Sequence, residues 1–461
     1  MQASNAMNRF LAFAKIGLSV LGATTACSIW AADSTVTATE GSAIASNWVV
    51  PVYPPELQSA NVQGSETVNF IVNPDGSTRD PVIAQSDDHR FDDSVLAAIA
   101  ASKFTSAIED GHSVPQCVQV VWKFSLPYQP SSFVQLTPLP KVHAEVINQP
   151  STDYPTSMLE RRLNGRVRCA LEINADGHVS GIRVEGATDG EFVPNALQAL
   201  RSTNFQPAHQ GTLTLPDRRE SNLPFIYDQA LAPDQRTVWQ VNGLSAVTPA
   251  DGSTAPSLPG IVILPLPIYP MDELLAGHSG DAEVTIALNE QGAAEAVNLV
   301  SASQPDFGKA LVAATEFSIF DPAMSGGHAV KTTLRRTYHF APPAETPDSI
   351  ESGEIRVERE LRTGHPITTA KGLDQPLRPV WQISPNLPLA LASAKTHPTG
   401  KAQIQVVIDE EGRVRAPKIV SATNDDFGYA AATALAQWCF DPPMRGGVAT
   451  EVRVIVPLVF K

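Results

Sequence analysis

The chain has 461 residues, 43% hydrophobic and 18% charged, which allows several buried cores and excludes a chain that is disordered overall. Its formal net charge of −15 would repel a nucleic-acid backbone over most of the surface, so no nucleic-acid partner is expected. With 38 prolines and 29 glycines, it reads as short elements joined by turns and linkers.

The N-terminus reads as an export signal over 1–32. Arg9 and Lys15 precede an apolar stretch from Ile16 to Ala26, and small residues follow at Ala31 and Ala32. That stretch is short for a membrane span, so cleavage near Ala31 or Ala32 is expected. A retained membrane anchor is the alternative. A lipid on Cys27 fits less well, because Thr24 and Thr25 suit a lipobox poorly. No other segment approaches a spanning length, and the mature chain is expected in the periplasm. Its cysteines, Cys117, Cys169 and Cys439, have the spacing of neither a disulfide framework nor a metal site.

After the leader the sequence repeats four times without a gap. With Gly64, Gly165, Gly280 and Gly400 as origins, a turn glycine follows at Gly76, Gly177, Gly292 and Gly412. A phenylalanine then recurs at Phe91, Phe192, Phe307 and Phe427, a second at Phe104, Phe205, Phe320 and Phe440, and a third at Phe124, Phe225, Phe340 and Phe460. Twelve of the chain's 17 phenylalanines sit on this template, so the repetition is internal and not accidental.

Each copy opens with period-two alternation, as in Val68, Phe70, Val72 and Ile404, Val406, Ile408, which predicts a strand with one buried face. The turns "NPDGS", "NADGH", "NEQGA" and "DEEGR" supply Asx side chains and a glycine for positive φ, and so predict hairpins into a second strand. Helical spacing follows (Leu96 and Ile99; Leu197 and Leu200), ending at the second phenylalanine. A Pro/Gly-rich loop leads to a third strand, with alternation Val118, Val120, Trp122, Phe124 in copy 1 and Val454, Val456, Leu458, Phe460 in copy 4. The fold class is α+β: four tandem ββαβ units, each a three-stranded antiparallel sheet with one helix on one face, over 49–127, 150–227, 265–341 and 377–461. The phenylalanines are expected in the sheet–helix cores. Arg219 and Ser221 fall at inward positions of the third strand of copy 2, which predicts a frayed or rebuilt edge there.

The unit resembles the C-terminal domain of the TonB energy-transducer family. The residues that carry this are Tyr53-Pro54, Tyr154-Pro155 and Tyr269-Pro270, the origin glycine, the D/N-x-x-G hairpin and the aromatic-Pro close of the helix, "WCFDPP" at 438–443. Copy 4 lacks Tyr-Pro and has "NLPLALASAKTHPTG" in its place. The resemblance implies binding of an outer-membrane receptor peptide by strand addition to the open edge of the third strand, with the segment after Tyr-Pro also touching it. Carried over, the candidate partner-binding residues are Val118, Val120, Trp122, Val452, Val454 and Val456, with Gln58 and Leu275 after Tyr-Pro. The edge could equally be closed by a neighbouring copy or by self-association. The family's energised members also have a membrane helix with a Ser/His pair and a Pro-rich spacer. Here the first histidine is His89 and no such spacer precedes the repeats, so a binding module that is not itself energised is expected.

The linkers 127–153, 228–260 and 342–376 are long, and their pieces "RTVWQV" and "EIRVER" are expected to add strands to neighbouring units. Catalytic signatures are not found: no HExxH, no G-x-S-x-G and no phosphate loop. The acidic runs Asp87-Asp88 and "NDD" at 424–426 precede helices, where they cap. The expectation is therefore no enzyme, no cofactor and no metal. The favoured function is an exported adaptor for envelope proteins. A structural envelope protein that packs on itself or binds peptidoglycan is the alternative, and a TonB-type energy transducer in outer-membrane transport is a second.

Overall fold

The computed structural model describes residues 41–129, 134–227, 235–247, 257–343, 353–392 and 398–460. The expected leader, with Arg9, Lys15 and Cys27, lies outside the described residues. Within them, no helix is long and apolar enough to cross a membrane.

The architecture is mixed α and β. In copy 1, strands β1 (Gly64–Val72) and β2 (Thr78–Ser86) form a hairpin, helix α1 (Asp92–Ala101) follows, and β3 (Gln116–Phe124) returns beside β1. Copy 2 has β4 (Gly165–Ile173), β5 (Val179–Ala187), α2 (Val193–Arg201) and β6 (Asp217–Phe225). Copy 3 has β7 (Gly280–Leu288), β8 (Ala294–Ala302), α3 (Pro305–Glu316) and β9 (Thr332–Phe340). Copy 4 has β10 (Gly400–Ile408), β11 (Val414–Ala422), α4 (Asp425–Ala436) and β12 (Val452–Phe460). In every copy the first strand is central and antiparallel to both neighbours.

The units carry more than these elements. A short strand precedes each (Ile44–Asn47, Glu145–Asn148, Ile261–Ile263, Pro379–Trp381) and pairs beside the second template phenylalanine. Short helices follow Tyr-Pro at Pro55–Ser59, Thr156–Glu160 and Met271–Ala276. A small hairpin, such as Ala208–Gln210 with Leu213–Leu215, precedes each third strand. Elements this short show no period in sequence.

The template is one connected geometry. The origin glycine lies opposite the third phenylalanine across the ladder, as in Gly64↔Phe124 and Gly400↔Phe460. The first phenylalanine packs on the third, with ring centroids 4.2, 4.7, 4.3 and 4.6 Å apart in copies 1 to 4. A Cβ on Gly165 or Gly400 would come within 2.1 or 2.4 Å of that first ring, so the origin must be glycine for the ring to lie over the strand. The turn glycines have φ between 77° and 86°, and their carbonyls accept the N–H of the second phenylalanine at 3.3, 2.9, 3.3 and 2.8 Å. The Tyr of Tyr-Pro donates its hydroxyl to a carbonyl just before the origin glycine: Val62, Leu163 and His278.

The polar third strand of copy 2 is not frayed. β6 pairs with β4 in unbroken register from Gly165↔Phe225 to Ile173↔Asp217. The ladder uses main-chain groups and buried Leu223 and Phe225 anchor it, while Arg219 reaches solvent. The two apolar linker pieces are also not strands. "RTVWQV" lies in a helix, Gln235–Val241, and "EIRVER" in another, Gly353–Arg362. Val357 and Leu361 stand one helical turn apart and pack into the core, and Arg356 pairs with Glu360 at i,i+4, so the helical period wins over local alternation.

The copies are packed together. Copies 3 and 4 share one core, with α3 against α4 and Lys309 bridging Asp306 (3.0 Å) and Asp425 (2.7 Å). Copy 2 meets copy 4 through Val193 and Leu197 against Cys439, and through buried Arg415, which joins Asp409 of copy 4 at 2.9 Å to Glu191 of copy 2. Copy 1 rests on copy 2 through Ile71, Cys117 and Leu213.

Candidate functional site

A strand at the edge of a sheet presents alternate N–H and C=O groups to whatever lies beyond it. The outward set on the third strands is Cys117, Gln119, Val121 and Lys123 in copy 1, and Ile455, Pro457 and Val459 after Arg453 in copy 4. The bonds made by Cys117, Thr337 and Arg453 away from their sheets fix this direction. What lies beyond the edge differs from copy to copy.

In copy 3 the edge is filled. Residues Leu244–Ala246 form a strand antiparallel to β9, with Leu244↔Arg336, Ser245↔Arg335 and Ala246↔Leu334. Thr337 N–H donates to the Gly243 carbonyl at 2.8 Å and Val247 N–H to that of Thr333 at 3.2 Å, so the added strand runs along most of β9. Leu244 is buried, and Trp239 just before it is buried with its Nε1 donating to Pro259 O at 3.2 Å.

In copy 1 the edge is half filled. Thr137–Pro138 pairs with Gln119 and Val118, Leu139 N–H donates to Cys117 O at 3.0 Å, and Gln210 of copy 2 accepts the Cys117 N–H at 2.9 Å. Val121 and Lys123 lie past this cover and are exposed.

In copies 2 and 4 most of the edge has no partner among the described residues. β6 is clasped only at its start, where Asp217 accepts from Ala144 N–H (2.9 Å), His143 (3.1 Å) and Lys141 (3.3 Å). Burial would raise the Asp217 pKa, but these three donors hold it below the usual carboxylate range. Beyond it Arg218, Glu220, Asn222 and Pro224 face outward, all exposed. β12 is capped at its start, where Arg453 N–H donates to Thr368 O at 2.7 Å and Thr369 bridges Arg453 in parallel sense. From Ile455 to Val459 it is uncovered, and these two side chains are 54% and 62% exposed.

The sequence-derived candidates occupy the other side of the alternation. Val118, Val120, Trp122 and Val452 are buried in the sheet–helix cores, and Val454 and Val456 are half-buried there. Choosing the apolar alternates selects the inward set; the edge itself is presented by the residues between them. Gln58 and Leu275 are exposed on the short helices after Tyr-Pro, next to buried Leu57 and Leu274. The closing segments Gly243–Val247, Thr137–Pro138 and Thr368–Thr369 are too short to show a strand period in sequence, although "NGLSAV" carries a turn glycine followed by a short apolar alternation. Among the described residues no cluster of His, Cys, Asp and Glu could hold a metal ion, and the three cysteines are buried and unpaired.

Among curated proteins no sequence matches the chain. The profile of the family described as Gram-negative bacterial TonB protein C-terminal matches it at residues 49–126, 150–228, 265–342 and 391–461. These four stretches make up more than half of the sequence, and each contains one origin glycine and its three phenylalanines. The chain therefore belongs to the TonB C-terminal domain family, in four tandem copies.

Proposed function

We propose that this protein is an exported periplasmic binding or adaptor protein, not itself energised and not an enzyme. It takes an extended peptide of an envelope protein, such as an outer-membrane receptor segment, as an added strand. Copies 2 and 4 are the receivers; copy 3, whose edge the chain covers itself, and copy 1, whose edge it half covers, serve chiefly as scaffold. The unit in this reading is the ββαβ core with its short N-terminal strand and pre-strand hairpin.

One observation carries the reading. In copy 3, where Leu244–Ala246 covers the edge, Leu334 and Arg336 are 1% exposed. At the equivalent positions of copy 4, Val454 and Val456 remain half-exposed, with main-chain groups of Ile455 and Val459 pointing past them. An added strand with an aliphatic side chain over Val456 would complete this core as Leu244 completes that of copy 3. Val118, Val120, Trp122 and Val452 then act as the floor of their sheets, and Gln58 and Leu275 flank the edges.

The test uses the full chain with a photo-crosslinking residue at Val459 or Arg218, exposed to envelope extract. Ile455→Pro or Glu220→Pro removes an outward N–H while leaving the inner ladder intact. Defined crosslinks to an extended segment that vanish in the matching proline variant are expected. Crosslinks that are unchanged with both edges blocked would refute the reading. Sedimentation with purified peptidoglycan separates it from a wall-binding role.

A further inference from the structure

Three positions of copy 1 depart from the repeat together. Copy 1 has Glu66 where the others have Val167, Ala282 and Ala402, and Ser86 where they have Ala187, Ala302 and Ala422. It has Asp92 in place of Val193, Gly308 and Gly428. The fold brings the three together between sheet and helix: Ser86 Oγ is 2.9 Å from Glu66 Oε1 and 2.8 Å from Asp92 Oδ1. Glu66 is 0% exposed, and its second oxygen, Oε2, is buried without a partner.

A hydroxyl carries a single proton. Ser86 can donate to one of these carboxyl oxygens; the other contact is a hydrogen bond only if that carboxyl is protonated and donates to Oγ. Two ionised carboxylates converging on one half-buried hydroxyl would repel each other, and Glu66 is out of contact with solvent. Asp92 also has His89 Nδ1 at 3.0 Å, which favours it as the ionised member and leaves the proton to Glu66. We infer that Glu66, Ser86 and Asp92 hold one shared proton in the core of copy 1, and that its loss loosens the part of β3 that Thr137–Pro138 does not cover.

The link to β3 is direct, because Glu66 is the cross-strand partner of Trp122. Trp122 in turn packs on Trp48, with centroids 5.7 Å apart, and both indole N–H groups are buried without partners. The groups facing the triad are few. Asp92 and His89 lie on the helix side, Asp88 in the turn before it is engaged by Arg90 Nε at 2.9 Å, and β3 presents Trp122, which carries no charge. Burial pushes the Glu66 carboxyl up to about 7, against an ordinary value of 4.5. Burial would raise Asp92 too, but Ser86 and His89 hold it below the usual range. The sign follows from Glu66. A folded pKa above the unfolded one gives stability that is complete below the unfolded value and is lost as pH rises through the folded one. The proton is thus retained under mildly acidic conditions and released near neutrality.

This inference does not depend on the peptide-binding reading, and copy 4 supplies its control within the same molecule. Amide hydrogen exchange on the full chain, corrected for intrinsic rates, is compared at about pH 5 and about pH 8. Protection of the Val120–Phe124 amides should fall by about tenfold or more relative to Val456–Phe460 as the pH is raised. Glu66→Gln, which keeps a neutral donor, should remove that difference. So should the combined Glu66→Ala, Ser86→Ala and Asp92→Gly variant, which gives copy 1 the residues of copies 3 and 4 and serves if the single variant does not fold. Absence of a relative loss in the unaltered protein, or its persistence in either variant, overturns the proposal.

Discussion

Phe91 and Phe124 stack nearly parallel, with centroids 4.2 Å apart and an interplanar angle of 10°, and Gly64 lies directly across the ladder from Phe124. The ring pair and the glycine opposite recur in every copy, the rings near parallel in copies 1 and 3 and tilted by 37° and 49° in copies 2 and 4. This contact explains why a glycine and two phenylalanines keep fixed spacing while the strands around them change. The ring of the first phenylalanine covers the space where a Cβ on the glycine would stand.

Gly400→Ala tests this contact. The added Cβ would lie 2.4 Å from Phe427 Cδ2, far inside ordinary contact, so ring or strand must move. A loss of about 1–3 kcal/mol is expected, as for overpacked cores. Combining it with Phe427→Leu should recover part of that loss, since the smaller side chain vacates the collision. Denaturant titration of the full chain, read on the transition of copies 3 and 4, measures the coupling; strict additivity of the two changes would rule the contact out as the reason for the glycine.

Two glycines of copy 4 make a paired comparison. Gly412 has φ 86°, and a Cβ there would meet Phe440 O at 2.0 Å, whereas Gly446 has φ 59° with nothing within 4 Å. Gly446→Ala should cost only the conformational penalty of about 1 kcal/mol. Gly412→Ala should cost clearly more, because it also breaks the Phe440 N–H to Gly412 O bond that ties the hairpin to the second phenylalanine. Equal thermal shifts for the two variants would contradict this account.

The repeat, the long strands and the helices were legible because each is long enough to display a period and each copy restates it. The interior place of Phe104, Phe205, Phe320 and Phe440 followed from the same periodicity, and all four are buried. What could not be read was what covers each edge. Leu244 and Thr137 belong to short segments whose pairing is set by tertiary contact, and the main-chain groups of Ile455 and Val459 are the same in any sequence. "EIRVER" reads as a strand by itself because its six residues fit alternation and helical spacing alike, and only Leu361 beyond them settles the choice.

The closure of copy 3 should be reversible by a single change. Leu244 is 3% exposed and opposite buried Arg336, so Leu244→Lys places a second positive charge against that guanidinium where an aliphatic side chain was buried. Segment 243–247 is then expected to leave the β9 edge, releasing the Thr337 N–H. Hydrogen exchange at Thr333–Thr337 should rise by at least about tenfold while β7 keeps its protection. If β7 exchanges equally fast, the segment is integral to the copy and not a separable cover.

The junction between copies 2 and 4 depends on Arg415. Its Nε lies 2.9 Å from Asp409 Oδ2, its guanidinium also engages Glu191 across the interface, and Arg413 Nε is 3.2 Å from Glu191. Arg415→Met keeps much of the side-chain volume but leaves Asp409, which is 0% exposed, without its cation. A loss of about 3 kcal/mol or more is expected, because an unpaired buried charge costs more than the intact pair contributes. Adding Asp409→Asn and Glu191→Gln should return most of it by removing the stranded charges. Acid should act on the same junction. Burial would raise the Glu191 pKa, but Arg415 and Arg413 overcome this and hold it below the usual 4.5. A depressed folded pKa gives stability that is complete above the unfolded value and lost as pH falls through the folded one. Separation of copies 2 and 4, followed by exchange at Val193–Leu197, should therefore appear only below the ordinary glutamate range. In Arg415→Met the acid transition should move to higher pH; an unchanged midpoint would mean that Arg413 alone holds Glu191 ionised.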